Sequence, residues 1–322
     1  MTLPTFDMNR LTPLLAGACL ALSPLACGDD SSTDDGAQAG SAGDTSPSAA
    51  TSNDDAATDD GDTDVATSAV GSGDSTDTNP SVDESSDTAP PELDDFSFFM
   101  TSLAGLQELS GNPQGFGGNL SYDGFIGREG ADRICEVLAE MSMPGSATKE
   151  WRAFLSTSEG DAIDRIGEGP WYDRNGRLVA EDLAGLLQER PAGDPALADD
   201  LPNEWGVPNS APEGEFLDNH DTMTASGPDG RLVLEANGMG PMGGGALSTC
   251  QDFTSAEPGQ DPPAMGHSWP AMSGQSWVFV GRHGNGCEAL VHLEQTGADC
   301  GGGSGVGCGG GYGGFYCFAL NP

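Results

Sequence analysis

The sequence predicts one α+β domain at the carboxyl-terminal end of an exported chain, and three observations lead to this prediction. All five Trp residues and nearly all Phe and Tyr residues of the 322-residue chain lie after residue 95, so this region holds enough apolar surface for one core. Its apolar positions recur at both strand and helix spacings. It also contains six cysteines, which can cross-link loops that burial alone would not order.

An export signal is predicted before the domain. Residues 1–26 carry one cation, Arg10, followed by an apolar stretch from Leu11 to Ala26 that is too short to span a membrane. The segment resembles the signal of bacterial lipoproteins, in which the cysteine after the cleavage site is acylated, and this resemblance implies a palmitate-type lipid anchor on Cys27. The alternative is an ordinary secretory signal that releases the protein.

Residues 27–95 are predicted to be an acidic disordered tether. Residues 28–95 contain nineteen Asp or Glu and no Lys or Arg, and such a segment cannot bury enough apolar surface to offset its ordering entropy. The whole chain has a formal net charge of −40. Because no basic patch is available to displace counterions from phosphates, we expect no nucleic-acid partner.

The predicted domain, residues 96–322, begins with a strand. Phe96–Ser102 is a short apolar run rich in aromatic residues, which favours a strand, and a glycine-rich loop is expected after it. A helix is predicted from Gly127 to Met141, because its apolar residues recur at three- and four-residue intervals and place Cys135 on the buried face. Strand and helix compete at Lys149–Ser156.

The second half of the domain is predicted to be rich in loops. Arg177–Ala180 has the character of a strand, and Glu181–Gln188 spaces its leucines as a second helix does. Pro191–Pro212 is rich in Pro and Asp, and Gly238–Gly245 is mostly Gly, Met and Pro. Long irregular stretches in a compact domain require either a function or covalent cross-links.

Five short motifs occur in the order seen in the endostatin domain of collagens. They are GREGADRIC at Gly127–Cys135, WRAFLS at Trp151–Ser156, GPDGRL at Gly227–Leu232, TCQDF at Thr249–Phe253 and CGGGYGGFYCF at Cys308–Phe318. The chain from about Phe96 to Leu320 therefore resembles that domain, and also a family of exported bacterial lipoproteins with the same C-type-lectin-like fold. The resemblance implies a twisted mixed sheet with two helices and long disulfide-stapled loops.

Spacing alone does not choose among the pairings of the six cysteines. The resemblance implies a disulfide between Cys135 and Cys317 and a second between Cys250 and Cys308. Cys287 and Cys300 then remain as the third pair.

Metal and cofactor sites are not predicted. No close Cys-x-x-Cys pair occurs, and His220, His267, His283 and His292 are scattered along the chain, so these histidines are interpreted as solvated loop residues. Endostatin domains carry zinc-binding histidines near their start, but residues 96–134 contain no histidine. The sugar-binding signatures of calcium-dependent lectins are absent as well, and only short partial matches to the sequence of a calcium site are present.

The predicted function is recognition without catalysis. Trp205, Trp269 and Trp277 lie in loop-rich sequence, where an exposed indole could stack on a glycan or contact an extracellular protein. One alternative is an enzyme that uses His220 or His267 with nearby acids, and another is a purely structural surface protein. The expected location is lipid-anchored, either at the bacterial outer membrane and cell surface or facing the periplasm.

Overall fold

The computed structural model describes residues 95–214, 216–237, 244–271, 274–293, 300 and 304–321. The predicted signal, Cys27 and the acidic tether lie outside these residues. Within the described ranges, no helix has the length and apolar character needed to cross a bilayer.

The last strand of the chain forms the centre of the first sheet. Strand β8 (Tyr316–Ala319) pairs antiparallel with β1 (Phe98–Met100) on one side and with β2 (Trp151–Ala153) on the other. The predicted strand near residues 96–102 is therefore confirmed, and Lys149–Ser156 contains a strand rather than a helix. Because β8 joins both partners, the two ends of the domain are fixed in one sheet.

An aromatic core fills the space around this sheet. Trp277 packs against Tyr316 with ring centroids 5.0 Å apart and against Phe154 at 5.1 Å, and its Nε1 donates a hydrogen bond to the Leu186 carbonyl (2.8 Å). The indole is fully buried. The prediction that Trp277 binds a ligand is therefore wrong, because burial and a satisfied N–H make this side chain part of the core.

Helix α2 (Arg128–Ser142) confirms the predicted amphipathic helix. Its buried face includes Ile134, Cys135 and Leu138, and it packs across β2. Met141, which the pattern places on the same face, is 38 % exposed near the end of the helix.

The first helix of the domain, α1 (Leu103–Ser110), stands where a glycine-rich loop was expected. The Ser102 side chain caps it by accepting a hydrogen bond from Gly105 N, and Gly111 ends it in the left-handed conformation with φ 64°. Both are standard helix boundary signals. The expectation of only two helices is wrong, because α1 and further short helices are present.

A two-stranded sheet and two short helices follow. Strand β3 (Trp171–Tyr172) pairs antiparallel with β4 (Leu178–Ala180), which confirms the strand predicted at Arg177–Ala180. The predicted second helix is reduced to α3 (Leu183–Leu186), and α4 (Pro195–Asp199) follows it.

The third sheet has the order β6-β5-β7. Strand β5 (Asp221–Met223) pairs antiparallel with β6 (Met265–His267) and parallel with β7 (Gly311–Gly314). A left-handed turn, α5 (Cys250–Phe253), lies between β5 and β6 in the chain. The described residues thus form a mixed α and β domain with three small sheets, where one larger twisted sheet was expected.

Three disulfides cross-link the domain, and one of them has the predicted pairing. Cys135 of α2 is bonded to Cys317 of β8. The predicted pairs Cys250–Cys308 and Cys287–Cys300 are wrong, because the structure joins Cys250 to Cys287 and Cys300 to Cys308. The observed partners have Cα atoms 5.7 Å and 5.6 Å apart, within the range that a disulfide can bridge. Three disulfides are compatible with an oxidising compartment.

Candidate metal centre

The third sheet brings distant residues to one point. Asp221, the first residue of β5, lies opposite His267 of β6 and pairs with Gly311 of β7. His220 precedes Asp221 in the chain. His283 lies in the segment after β6, and this segment hydrogen-bonds back to that strand. Strand register therefore brings the adjacent residues His220 and Asp221 together with two histidines that are distant in the sequence.

One carboxylate oxygen of Asp221 lies at the centre of the group. Its Oδ1 is 3.5 Å from His220 Nε2, 3.3 Å from His267 Nε2 and in close contact with His283 Nδ1. One ligand atom from each of the four residues lies within 4.8 Å of the other three. The ligand atoms of a tetrahedral zinc ion are about 3.3 Å apart, so small side-chain shifts would let these four atoms bind one ion.

The group is buried from solvent. His267 is fully buried, whereas His220 and His283 are 5 % and 6 % exposed. The Trp269 ring covers His220, with centroids 5.1 Å apart, and its Nε1 donates to Asn219 Oδ1 (2.9 Å). Water is therefore largely excluded, which strengthens the electrostatic interactions of any cation held there.

Outer hydrogen bonds set the orientation of two of the imidazoles. His220 Nδ1 lies 2.8 Å from Asp218 Oδ1, and His267 Nδ1 lies 2.9 Å from the Gly274 carbonyl oxygen. A carboxylate and a carbonyl only accept hydrogen bonds, so both Nδ1 atoms carry the proton. In the neutral rings each Nε2 then presents a lone pair towards Asp221, as metal-ligating histidines with such outer partners do.

Both Nε2 atoms lack a hydrogen-bond partner among the described residues, and so does Asp221 Oδ2. Two imidazole lone pairs directed at the same carboxylate oxygen repel it unless a cation lies between them. An orphaned buried polar atom is costly. Two such nitrogens directed at one carboxylate, whose second oxygen is also unpartnered, indicate a candidate metal-binding site.

The pKa shifts follow from burial and from mutual contacts. Burial would raise the pKa of Asp221, but the neighbouring imidazoles, with His283 first, together lower it below its ordinary value. Burial lowers the pKa of His220, because together with the other two histidines it outweighs the opposing effect of the Asp221 and Asp218 carboxylates. Burial also acts to lower the pKa of His283, but the Asp221 carboxylate outweighs it and raises that pKa. Asp221 is therefore held as an anion, which suits a cation ligand.

The glycine-rich segment at Cys308–Phe318 approaches the four-residue group closely. Gly310, with φ +121°, lies against His220, and a Cβ at this position would be 2.7 Å from His220 Cε1 and 2.9 Å from Asp218 Oδ1. The Gly310 carbonyl oxygen also accepts a hydrogen bond from Asp221 N (2.9 Å). Both the positive φ and the lack of space for a Cβ require glycine at this position. Gly310 therefore forms part of one wall of the centre.

A comparison with protein-family models finds no match for the chain, and a comparison with curated proteins finds none either.

The structure corrects the interpretation of the histidines. The sequence-based view that they are solvated and scattered is wrong for His220, His267 and His283, which are buried together. Asp221 and His283 were not among the predicted site residues. One signal was available, since all four histidines lie between residues 220 and 292. Their spacing resembles no metal motif, because the ligands come from three separate strands or segments and only His220 and Asp221 are neighbours in the chain.

The fold places the three tryptophans of the predicted ligand site in different environments. Trp205 is 50 % exposed, Trp269 is half-buried over His220, and Trp277 is in the core. Of the three, Trp205 alone presents half of its surface to solvent.

Proposed function

We propose that His220, Asp221, His267 and His283 bind one Zn²⁺ ion, which links the third sheet to the loop that carries His283. The observation that carries this proposal is the pair of unpartnered Nε2 atoms directed at one oxygen of Asp221. A cation at that point would convert these two buried repulsive contacts into coordination bonds.

Zinc is the ion that fits the donor set best. Three imidazole nitrogens and one carboxylate oxygen suit Zn²⁺, whereas Ca²⁺ and Mg²⁺ prefer oxygen donors. Four protein ligands complete a tetrahedral site and leave no position for a reacting water. This argues for a structural role of the metal and against the alternative of an enzyme that uses His220 or His267.

The scaffold we propose is the C-type-lectin-like, endostatin-like fold. The order of the five sequence motifs supports it, and so does the Cys135–Cys317 bond, which is the pairing that the resemblance implies. The zinc ligands proposed here are not at the start of the domain, where endostatin domains carry theirs.

The role we propose is recognition of a partner at the cell surface by an exported lipoprotein. The signal sequence, Cys27 and the acidic segment up to residue 95 support an anchor followed by an expanded tether. A tether of this kind would hold the zinc-stabilised domain away from the membrane.

Metal binding is tested by titration of the purified full chain after removal of metal with a chelator. We expect one Co²⁺ per chain, with the strong visible absorption of a tetrahedral cobalt site, and displacement of Co²⁺ by one equivalent of Zn²⁺. His292→Ala is the matched control, because His292 lies outside the four-residue group, and it should bind like the wild type. The weak spectrum of hydrated cobalt, without saturation, would contradict the proposal.

The anchor is tested by metabolic labelling with a radioactive fatty acid in a bacterial host that processes lipoproteins. The wild-type chain should incorporate the label and sediment with membranes. The Cys27→Ser variant should do neither, because its side chain lacks the acceptor thiol. Equal labelling of both chains would show that acylation does not occur at this residue.

A further inference from the structure

A cavity of about 440 Å³ opens beside Trp205, between α1, the loop that follows residue 202 and Tyr312 of β7. We propose that this cavity, together with the Trp205 indole, binds a neutral carbohydrate of one or two sugar rings. This inference rests on the proposed recognition role and gives it a place and a ligand class. It does not depend on the zinc centre.

The Trp205 indole is held in an exposed position by its own loop. Asn203 Oδ1 accepts hydrogen bonds from Trp205 N (3.0 Å) and Val207 N (3.2 Å). The neighbouring Glu204 points inward and is buried, and its carboxylate accepts a hydrogen bond from Ser102 N at the start of α1 (2.9 Å). Because the loop is anchored on both sides of the indole, little conformational entropy is lost when a ligand stacks on it.

The inner wall of the cavity is equally fixed. Asn209 Nδ2 donates to the Asn219 carbonyl (3.3 Å), and Asn219 Nδ2 donates to the Asn209 carbonyl (2.6 Å). The Tyr312 hydroxyl donates to Asn209 Oδ1 (2.9 Å). These side chains hydrogen-bond to one another and so need no ligand as a hydrogen-bond partner. They therefore give the cavity a fixed shape.

Three polar groups of the lining make no hydrogen bond to any described residue. They are the amide nitrogen Asn203 Nδ2, the amide oxygen Gln107 Oε1 and the carboxylate of Glu213. They provide one donor and two acceptors next to an apolar surface formed by Leu103, Val207 and the indole. A sugar ring has the matching pattern, with C–H faces that stack on aromatic rings and hydroxyls at its edge that both donate and accept.

Charge and size restrict the ligand further. Among the residues that the structure describes, no Lys or Arg lines the cavity and Glu213 is the charged residue of its lining, so sialylated or sulfated sugars would be repelled. The volume lies in the range of small-molecule sites. A protein partner would instead need a much larger buried surface. These observations favour a neutral carbohydrate over a protein.

The test is binding of the full chain to an array of immobilised neutral oligosaccharides built from hexoses and N-acetylhexosamines, with sialylated and sulfated ones alongside. Titration calorimetry with the best soluble ligand then gives the affinity. We expect binding to neutral sugars only, and Trp205→Ala should weaken it at least about tenfold, as the loss of a central aromatic contact does. Phe125→Ala is the matched control, because Phe125 is 51 % exposed and does not line the cavity, and its affinity should change less than about twofold.

Thermal unfolding and zinc content are measured on the same preparations. A folded, zinc-loaded chain that retains no neutral sugar would overturn the inference and leave the zinc centre standing. Sugar binding that Trp205→Ala does not weaken, or Trp205-dependent binding to a protein alone, would overturn it as well. A chain that binds a neutral sugar through Trp205 but takes up neither Co²⁺ nor Zn²⁺ in the titration would support the cavity and contradict the proposed metal centre.

Discussion

Replacing His267 by alanine is expected to remove stoichiometric zinc binding. His267 is fully buried and its Nε2 is one of the four converging ligand atoms. Outer partners of metal ligands alone change affinity by about 10–100-fold, so loss of a direct ligand should weaken zinc binding by at least about 100-fold. The measurement is a competition titration against a chromophoric zinc chelator.

The same variant separates metal binding from packing. Zinc at 100 times its dissociation constant would stabilise the wild-type chain by about 2.7 kcal/mol, because it binds the folded state only. The melting temperature of the wild type should therefore rise with zinc, whereas that of His267→Ala should not. His292→Ala should respond like the wild type. If His267→Ala gained the same stability from zinc, the assignment of this ligand would be wrong.

Removing the Cys135–Cys317 disulfide is expected to cause the largest loss of stability among the three cross-links. Its cysteines are 182 residues apart, and closing such a loop stabilises by about 5 kcal/mol in the chain-entropy model, before strain is counted. The bond also joins α2 to the central strand of the first sheet. The Cys135→Ala/Cys317→Ala double variant, measured by urea unfolding, should lose stability of this order.

The short disulfide provides the control. Cys300 and Cys308 are 8 residues apart, and the same model gives roughly 2–3 kcal/mol for a loop of that length. The Cys300→Ala/Cys308→Ala variant should therefore lose about half as much stability. An equal or larger loss in this variant would show that loop length does not govern the contribution of these disulfides.

The residue types in the sequence indicated one member of the proposed sugar-binding site, but they did not indicate how that site is assembled. The sequence indicates that Trp205 is in a loop, and the structure adds that Asn203 and the buried Glu204 hold it beside a cavity. Trp277 has similar sequence surroundings and is fully buried. Local composition does not distinguish these two tryptophans, because burial depends on which distant segments pack against them.

Local sequence pattern and composition were sufficient to predict the features that residues close together in the chain determine. The apolar face of α2 with Cys135, the strand at Phe98–Met100 and the acidic composition of residues 28–95 follow from local pattern and charge. The pairing of the cysteines and the position of the metal ligands were decided by the tertiary structure alone. The Cys250–Cys287 pair and the meeting of His220, Asp221, His267 and His283 depend on strand register and on the path of long loops. Those are set by the packing of segments remote in sequence, which no local pattern records.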